Sequence, residues 1–271
     1  MPINKIYALY FSATKTTEKV VTILGHHLSQ MLSLPFEKID FTLPDVRKNE
    51  LSFDENALVI IGTPVYAGRV PNVLLPYLTK MIKGNGALCV PVVLFGNRNF
   101  DDALIELRDI MVANGFTPIS AGAFVGEHSF SKILAQNRPD DTDMKDVKHL
   151  AETTYNRIIE GDITTPIKVK GQSPIRPYYT PRDRNGNHIN ILKVTPKTND
   201  NCTNCGLCAK ICPMGSINPA NIYEYVGICI KCCACVKACP TSAKYYDDEG
   251  YLYHQHELEE IFSRRAENEI F

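Results

Sequence analysis

The 271-residue sequence predicts an α/β protein: a doubly wound parallel sheet extending to about Glu160, followed by a small cysteine-rich module that binds metal. Three observations predict this. Short apolar runs alternate with helical patterns through the first part of the chain, as expected of parallel strands joined by helical crossovers. Nine of the ten cysteines fall between Cys202 and Cys239, and the first 201 residues hold only Cys89. The length suits one ordinary α/β domain plus something smaller.

The elements follow in order. IYALYF reads as the first strand, and a helix runs through Glu18 to Met31. ALVIIGT is the third strand, a helix lies near Val73 to Ile82, and ALCVPVVLF is the fourth strand. DDALIELRDIMVANG has helical period and stops at Gly115; PISAGAFVG then gives the fifth strand, and a last helix spans about Asp143 to Ile159. From Asp162 to Pro196 the chain is rich in Pro, Thr and Arg and shows no sustained period, which predicts a linker or a wrapping arm. Its six Lys or Arg against two Asp read as a solvated basic segment ahead of a surface that steers an acidic partner. In the closing stretch YLYHQHELEEIFSRRAENEIF, residues Leu258, Ile261 and Phe262 recur at helical spacing and predict a short helix docked on one domain. The expected units are therefore 1–161, 162–196, 197–248 and 249–271.

Composition narrows the function. The formal net charge of -1 offers no basic field for nucleic acid. No apolar run approaches the roughly 18 to 20 residues that span a bilayer, and the start MPINKIYALYF lacks the order of a signal peptide, so a cytoplasmic protein is expected. Cys89 sits in an apolar strand and reads as a small core residue. GNGALC, around Gly84 and Gly86, precedes a strand rather than a helix and reads as a turn, and the histidines form no metal-binding pair.

The strongest signal is an internal duplication, CTNCGLCAKICP from Cys202 to Pro213 and CIKCCACVKACP from Cys229 to Pro240. Both copies read Cys-x2-Cys-x2-Cys-x3-Cys-Pro. This spacing turns three thiolates toward one cubane and the fourth toward the other cluster, so ligation is crossed. Cys202, Cys205, Cys208 and Cys239 are expected to hold the first cluster, and Cys229, Cys232, Cys235 and Cys212 the second. Two four-cysteine zinc sites are the competing reading of eight thiolates, but zinc ribbons usually part their Cys-x2-Cys pairs by a longer loop. Over about residues 197 to 248 the sequence resembles the bacterial two-cluster ferredoxins, which implies low-potential one-electron transfer. Cys233 stands where the first copy has Gly206 and reads as a packing position.

Three further segments fall at strand ends. FSATKTTEKV crowds Ser12, Thr14, Thr16 and Thr17 into a turn that opens a helix, where hydroxyls and free N–H groups suit a phosphomonoester. IGTPVYAGRVP places Tyr66 in a turn after the third strand, and FGNRNFDDAL follows the fourth, at the sheet edge where open α/β sheets bind ligands. Together they resemble the flavodoxin-like family over about residues 1 to 160, and the resemblance implies FMN and a five-stranded sheet of order 2-1-3-4-5. It assigns Ser12, Ala13, Thr14, Lys15, Thr16 and Thr17 to the phosphate. It assigns Thr63, Pro64, Val65, Tyr66, Ala67 and Gly68 to the ring, with Tyr66 stacking, and Gly96, Asn97, Arg98, Asn99 and Phe100 to its polar edge. Lys15 departs from the family's usual Gly: either the turn needs no positive φ there or its geometry differs, and the ammonium could pair with the phosphate. GEHSFSK, from Gly126 to Lys132, can add Glu127, His128 or Ser129 to the same pocket.

FMN and two [4Fe-4S] clusters in one chain imply a protein that converts between paired and single electrons. Its partners would be redox proteins or a reductase, in an anaerobe, and the linker allows a head-to-tail homodimer. Two other readings stand beside this one. One is a flavin-dependent reductase of a small molecule fed by the clusters; the other is a flavin-free docking platform.

Overall fold

The computed structural model describes residues 3–163 and 167–271; the expected starts of the first unit (residues 1–2) and part of the linker (164–166) lie outside the described residues. The strands are β1 Lys5–Tyr10, β2 Phe36–Asp40, β3 Leu51–Ser52, β4 Ala57–Pro64, β5 Ile82–Lys83, β6 Leu88–Phe95, β7 Thr117–Pro118, β8 Gly122–Val125, β9 Lys197–Thr198, β10 Lys244–Tyr245 and β11 Glu269–Ile270. The helices are α1 Thr16–Leu32, α2 Leu75–Lys80, α3 Ala103–Ala113, α4 Asp141–Glu160, α5 Leu207–Lys210, α6 Ala234–Lys237 and α7 Glu249–Ile261.

The principal sheet runs β2-β1-β4-β6-β8 with all neighbours parallel, and β11 closes it antiparallel to β8. Counting the five parallel strands in chain order gives 2-1-3-4-5, the doubly wound flavodoxin-like topology. Both faces are covered, which is why β4 and β6 read as unbroken apolar runs. Val20, Leu24 and Leu28 of α1 and Val147, Leu150 and Ala151 of α4 pack on one face; Leu78 of α2 and Leu104, Leu107 and Met111 of α3 pack on the other. Gly62 lets α1 approach β4, because a Cβ there would stand 2.3 Å from Val21 Cγ2. Cys89 is fully buried among these side chains, which pushes its thiol well up and leaves it an inert core residue.

Two departures from the sequence reading concern the sheet edge. The single fifth strand expected in PISAGAFVG is split into β7 and β8. Cys89 O accepts the N–H of Ile119 and Phe95 O that of Gly126, so the odd-numbered residues of β6 face the fifth strand. Pro91 has this parity and no N–H to offer, and the break falls opposite it. The C-terminal segment also does more than dock a helix. α7 buries Tyr251, His254 and Leu258, while Ile261, expected on the packed face, is 58% exposed. The chain then returns to the sheet as β11, held by paired hydrogen bonds between Ala121 and Phe271.

Residues 167–196 wrap the first domain. Asp102, fully buried, receives the backbone N–H groups of Gln172 and Arg176 at 2.9 and 2.8 Å and the Arg176 guanidinium. Beyond the arm, β9 and β10 pair antiparallel and bring together the ends of the cysteine-rich module, and Ile217, Ile222 and Cys235 form its small core.

Candidate functional site

Four strand ends and one helix start meet at the carboxyl edge of the sheet. They line an open crevice. Ala13, Thr14, Thr16 and Thr17 line it from the β1–α1 turn, Pro64, Val65 and Tyr66 from the end of β4, Leu94, Phe95 and Gly96 from the end of β6, and Gly126, Glu127, His128 and Ser129 from the end of β8.

The turn before α1 is built for an anion. Lys15 takes the N-cap position with φ 69°, and its side chain caps no N–H of α1. The turn does therefore require positive φ where the family usually has Gly, and a lysine bears it. Its side chain points away: Lys15 Nζ pairs with Glu18 Oε2 at 2.8 Å and is largely exposed. Ser12 is buried beneath the turn, where its Oγ accepts the Glu18 N–H at 3.0 Å and its own N–H donates to Thr42 Oγ1. Neither Ser12 nor Lys15 reaches the crevice wall. Ser12 thus caps one N–H of the first turn of α1, while the N-cap residue Lys15 caps none, and the Thr14, Thr16 and Thr17 side chains flank the turn at the crevice, an arrangement that suits an anion.

Tyr66 is carried on a tight hairpin. Tyr66 and Arg69 exchange backbone hydrogen bonds of 2.9 and 3.1 Å, and Ala67 and Gly68 between them both have positive φ, the signature of a type I′ turn. Gly68 packs against Asp101, Ala67 O accepts the Tyr179 N–H from the arm, and Thr63, next to last in β4, has its hydroxyl buried and unpaired among the described residues. These three support the loop and do not line the crevice.

Of the third expected loop, only Gly96 lines the crevice, and the side chains of the rest are engaged elsewhere. Asn97, almost fully buried at φ 68°, donates to Phe262 O and Arg264 O and accepts the Ala266 N–H, so it fastens the C-terminal tail. Arg98 pairs with Asp101 and lies 4.7 Å over the Tyr179 ring. Asn99 caps the Asp101 N–H, and Phe100 packs on Phe95 in the core. Their place at the crevice is taken by the loop after β8. A Cβ on Gly96 would stand 2.3 Å from His128 Cδ2, so the imidazole lies directly on that glycine. Burial and the nearby Lys237, His254 and Arg98 push His128 down to about 3, and its Nδ1 accepts the Phe130 N–H at 3.1 Å. A neutral ring with its proton on Nε2 results.

The cysteines form the other site. Cys212, Cys229, Cys232 and Cys235, the second set expected from the spacing, line one cavity together with Cys233, Tyr225 and Tyr246. Burial pushes the Cys232 thiol up to about 12, so loading metal there releases a proton. In the other set, Cys205 is exposed and Cys202, Cys208 and Cys239 are half-buried. Among the described residues no three Cys, His, Asp or Glu side chains converge on a single ion position. Cys233 sits at φ 59° where its counterpart Gly206 has φ 71°; it is buried, with its Sγ 3.3 Å from Tyr251 Oη. The packing reading of this ninth thiol thus acquires a backbone reason, since the position is left-handed in both copies.

The two sites adjoin. Tyr66 is driven well above its ordinary value by burial and by the nearby Cys232, Cys233 and Cys229. Lys237 of α6 pairs with Glu127 and donates to His128 O at 2.8 Å. An aromatic series fills the space beside them: His128 to Phe130 at 5.3 Å, Phe130 to Tyr251 at 4.7 Å, and Tyr251 stacked on Tyr246 at 3.9 Å.

Residues 196–218 match the family model described as a 4Fe-4S binding domain. That span contains Cys202, Cys205, Cys208 and Cys212, so the chain carries a site for at least one [4Fe-4S] cluster; the second copy lies outside it. No curated protein matches the chain. Among solved structures, a flavodoxin from the domain Archaea is 13% identical with a TM-score of 0.43, over 57% of this chain and 99% of its own. A flavodoxin of Streptococcus pneumonia TIGR4 is 17% identical with a TM-score of 0.40, over 56% and 99%. The flavodoxin of Megasphaera elsdenii is 16% identical with a TM-score of 0.38, over 56% and 98%. No helix among the described residues is long and apolar enough to cross a membrane.

Proposed function

We propose that the protein transfers electrons between two [4Fe-4S] clusters and one FMN, and so joins one-electron to two-electron carriers. The observation that carries this reading is the contact between the sites: the crevice loop holding Glu127 and His128 is bonded to Lys237, inside the second cysteine motif. FMN bound in the crevice would supply an acceptor that takes two electrons singly, and the clusters would pass electrons one at a time.

The chain's own residues do the rest. The α1 N-terminus with Thr14, Thr16 and Thr17 holds the phosphate, Tyr66 offers an aromatic face, and Gly96 lets the neutral His128 close the wall. Lys15 adopts the glycine-type conformation with its side chain outside, which supports a working phosphate turn and leaves the flavin-free docking platform without its motive. Backbone N–H groups on Cys212 and Cys239 sulfurs, from Ser216 at 3.3 Å and Ala243 at 3.2 Å, stabilise thiolate charge and tune the clusters.

The test is reoxidation of the fully reduced protein under anaerobic conditions. Rapid exchange with low-potential redox proteins, indifferent to added small molecules, is the expected result. Reoxidation that depends on one small oxidant and saturates with it would replace the carrier by the flavin-dependent reductase.

A further inference from the structure

The two cysteine motifs are copies, and the backbone treats them as such. Left-handed residues recur as Asn204 and Lys231, Gly206 and Cys233, and Gly215 and Ser242. Each pair is 27 positions apart, as Cys229 is from Cys202. The fourth cysteine of each copy accepts the N–H four residues ahead. Differences between the copies therefore arise from what surrounds them.

Those differences all point one way. Lys210 and Lys237 are equivalent by the repeat. Lys210 is exposed and meets no partner among the described residues, whereas Lys237 is bonded to Glu127 and to the carbonyl of His128 in the crevice wall. Pro213 follows the ligand Cys212, and its carbonyl accepts a hydrogen bond from Arg47, which also holds Phe41 O at 2.9 Å just past β2. Cys232 and Cys235 are 8% exposed, while their counterparts are exposed Cys205 and half-buried Cys208. Resting on the electron-transfer reading above, we propose that Lys237 and Arg47 are positioning residues: they fix Cys212, Cys229, Cys232 and Cys235 as the inner site against the crevice of the same chain, leaving Cys202, Cys205, Cys208 and Cys239 as the outer site that meets partners. In the reducing direction a low-potential protein donor would be oxidised by one electron to a cluster held by the outer site, and the inner site would hold the cluster that receives that electron next. FMN held in the crevice would be the acceptor, so that two such transfers with two protons from water would reduce it to the dihydroflavin.

The experiment uses the full chain, purified anaerobically with its clusters. Lys237→Met removes both bonds and keeps most of the bulk, Lys237→Arg is the conservative rescue, and Lys210→Met is the internal control. Hydrogen exchange of residues 126–132, read on flavin-free protein, should quicken about tenfold in Lys237→Met, the loss of roughly one charge-assisted bond. It should return most of the way in Lys237→Arg and stay unchanged in Lys210→Met. With FMN bound, rapid mixing with dithionite should show cluster-to-flavin transfer slowed about tenfold in Lys237→Met only, at a rate independent of protein concentration in every variant. Unchanged exchange in Lys237→Met would overturn the positioning role, and a transfer rate that grows with protein concentration would assign the inner site to another chain. Failure to take up FMN would sink the electron-transfer reading by itself, while the exchange comparison would still decide the role of Lys237.

Discussion

Replacing Gly96 by Ala tests how tightly the crevice wall is packed. The new Cβ would stand 2.3 Å from His128 Cδ2, 2.9 Å from its Cγ and 3.1 Å from its Cα. Ordinary carbon contacts lie near 3.5 to 4.0 Å, so the imidazole must move by about 1 Å or more. It has little room to do so. Its ring packs edge-on against Phe130 at 5.3 Å, its N–H is bonded to Leu134 O at 3.1 Å, and its carbonyl is held by Lys237. Overpacking of this kind costs about 1–3 kcal/mol, or several degrees in Tm for a chain of this size. A wall displaced by that amount should also weaken FMN about tenfold, since about 1.4 kcal/mol is tenfold in Kd. Thermal unfolding and FMN titration by fluorescence quenching read the two effects. Gly126→Ala, whose nearest contact is 3.1 Å to Thr16 Cβ, should give a milder version of both. If Gly96→Ala kept both the Tm and the FMN affinity of the wild type, His128 would not lie against Gly96.

Tyr66→Ala should lower FMN affinity with iron content intact, read by flavin release and iron analysis on the same sample; loss of both would mean the two sites are not separable. Cys212→Ala should remove the cluster of Cys229, Cys232 and Cys235 and leave that of Cys202, Cys205 and Cys208, as seen in iron content and electron paramagnetic resonance; the opposite pattern would refute crossed ligation. Arg138→Ala should cost about 3–5 kcal/mol in urea unfolding, because Arg138 and Asp143 are a buried pair and Arg138 also holds Ala266 O at 2.6 Å. Burial opposes ionisation of Asp143, but Arg138, the Asp140 N–H and Asn268 outweigh it and hold the carboxyl below its usual range. With a lowered folded value, this stabilisation is complete above the ordinary carboxylate pKa of about 3.9 and fades as pH falls toward the folded value. The gap between wild type and Arg138→Ala should accordingly narrow below about pH 4, and a constant gap would contradict the pairing.

The sheet was legible because its strands are apolar on both faces and its helices keep a clean period. Its interruption at Pro91 followed from a missing donor, but which neighbour lost the bond depended on the parity of β6 in the sheet. β11 carried no local signal: ENEIF is short and polar, and it pairs because Asn97 and Arg138 hold the preceding tail from far away in sequence. The crevice shows the same division. Thr14, Thr16, Thr17 and Pro64 to Tyr66 sit at strand and helix ends, where sequence marks the position. The side chains of Asn97 and Arg98 turn away from the crevice because the returning tail and the arm, both remote in sequence, engage them. The wall they were expected to form comes from Gly126 to Ser129, which the polar GEHSFSK run after the fifth strand did signal, while Leu94 and Phe95 looked like mere strand. The cysteine sets are expected from spacing alone. Which set faces the crevice depends on Lys237 meeting Glu127, and no local pattern encodes that.

The central claim is that one chain carries a flavin beside two clusters, and the most direct measurement is iron, acid-labile sulfide, zinc and released flavin per chain on anaerobically purified protein. About eight iron, about eight sulfide and about one FMN are expected. Zinc without sulfide, or clusters in a protein that cannot be loaded with FMN, would contradict it.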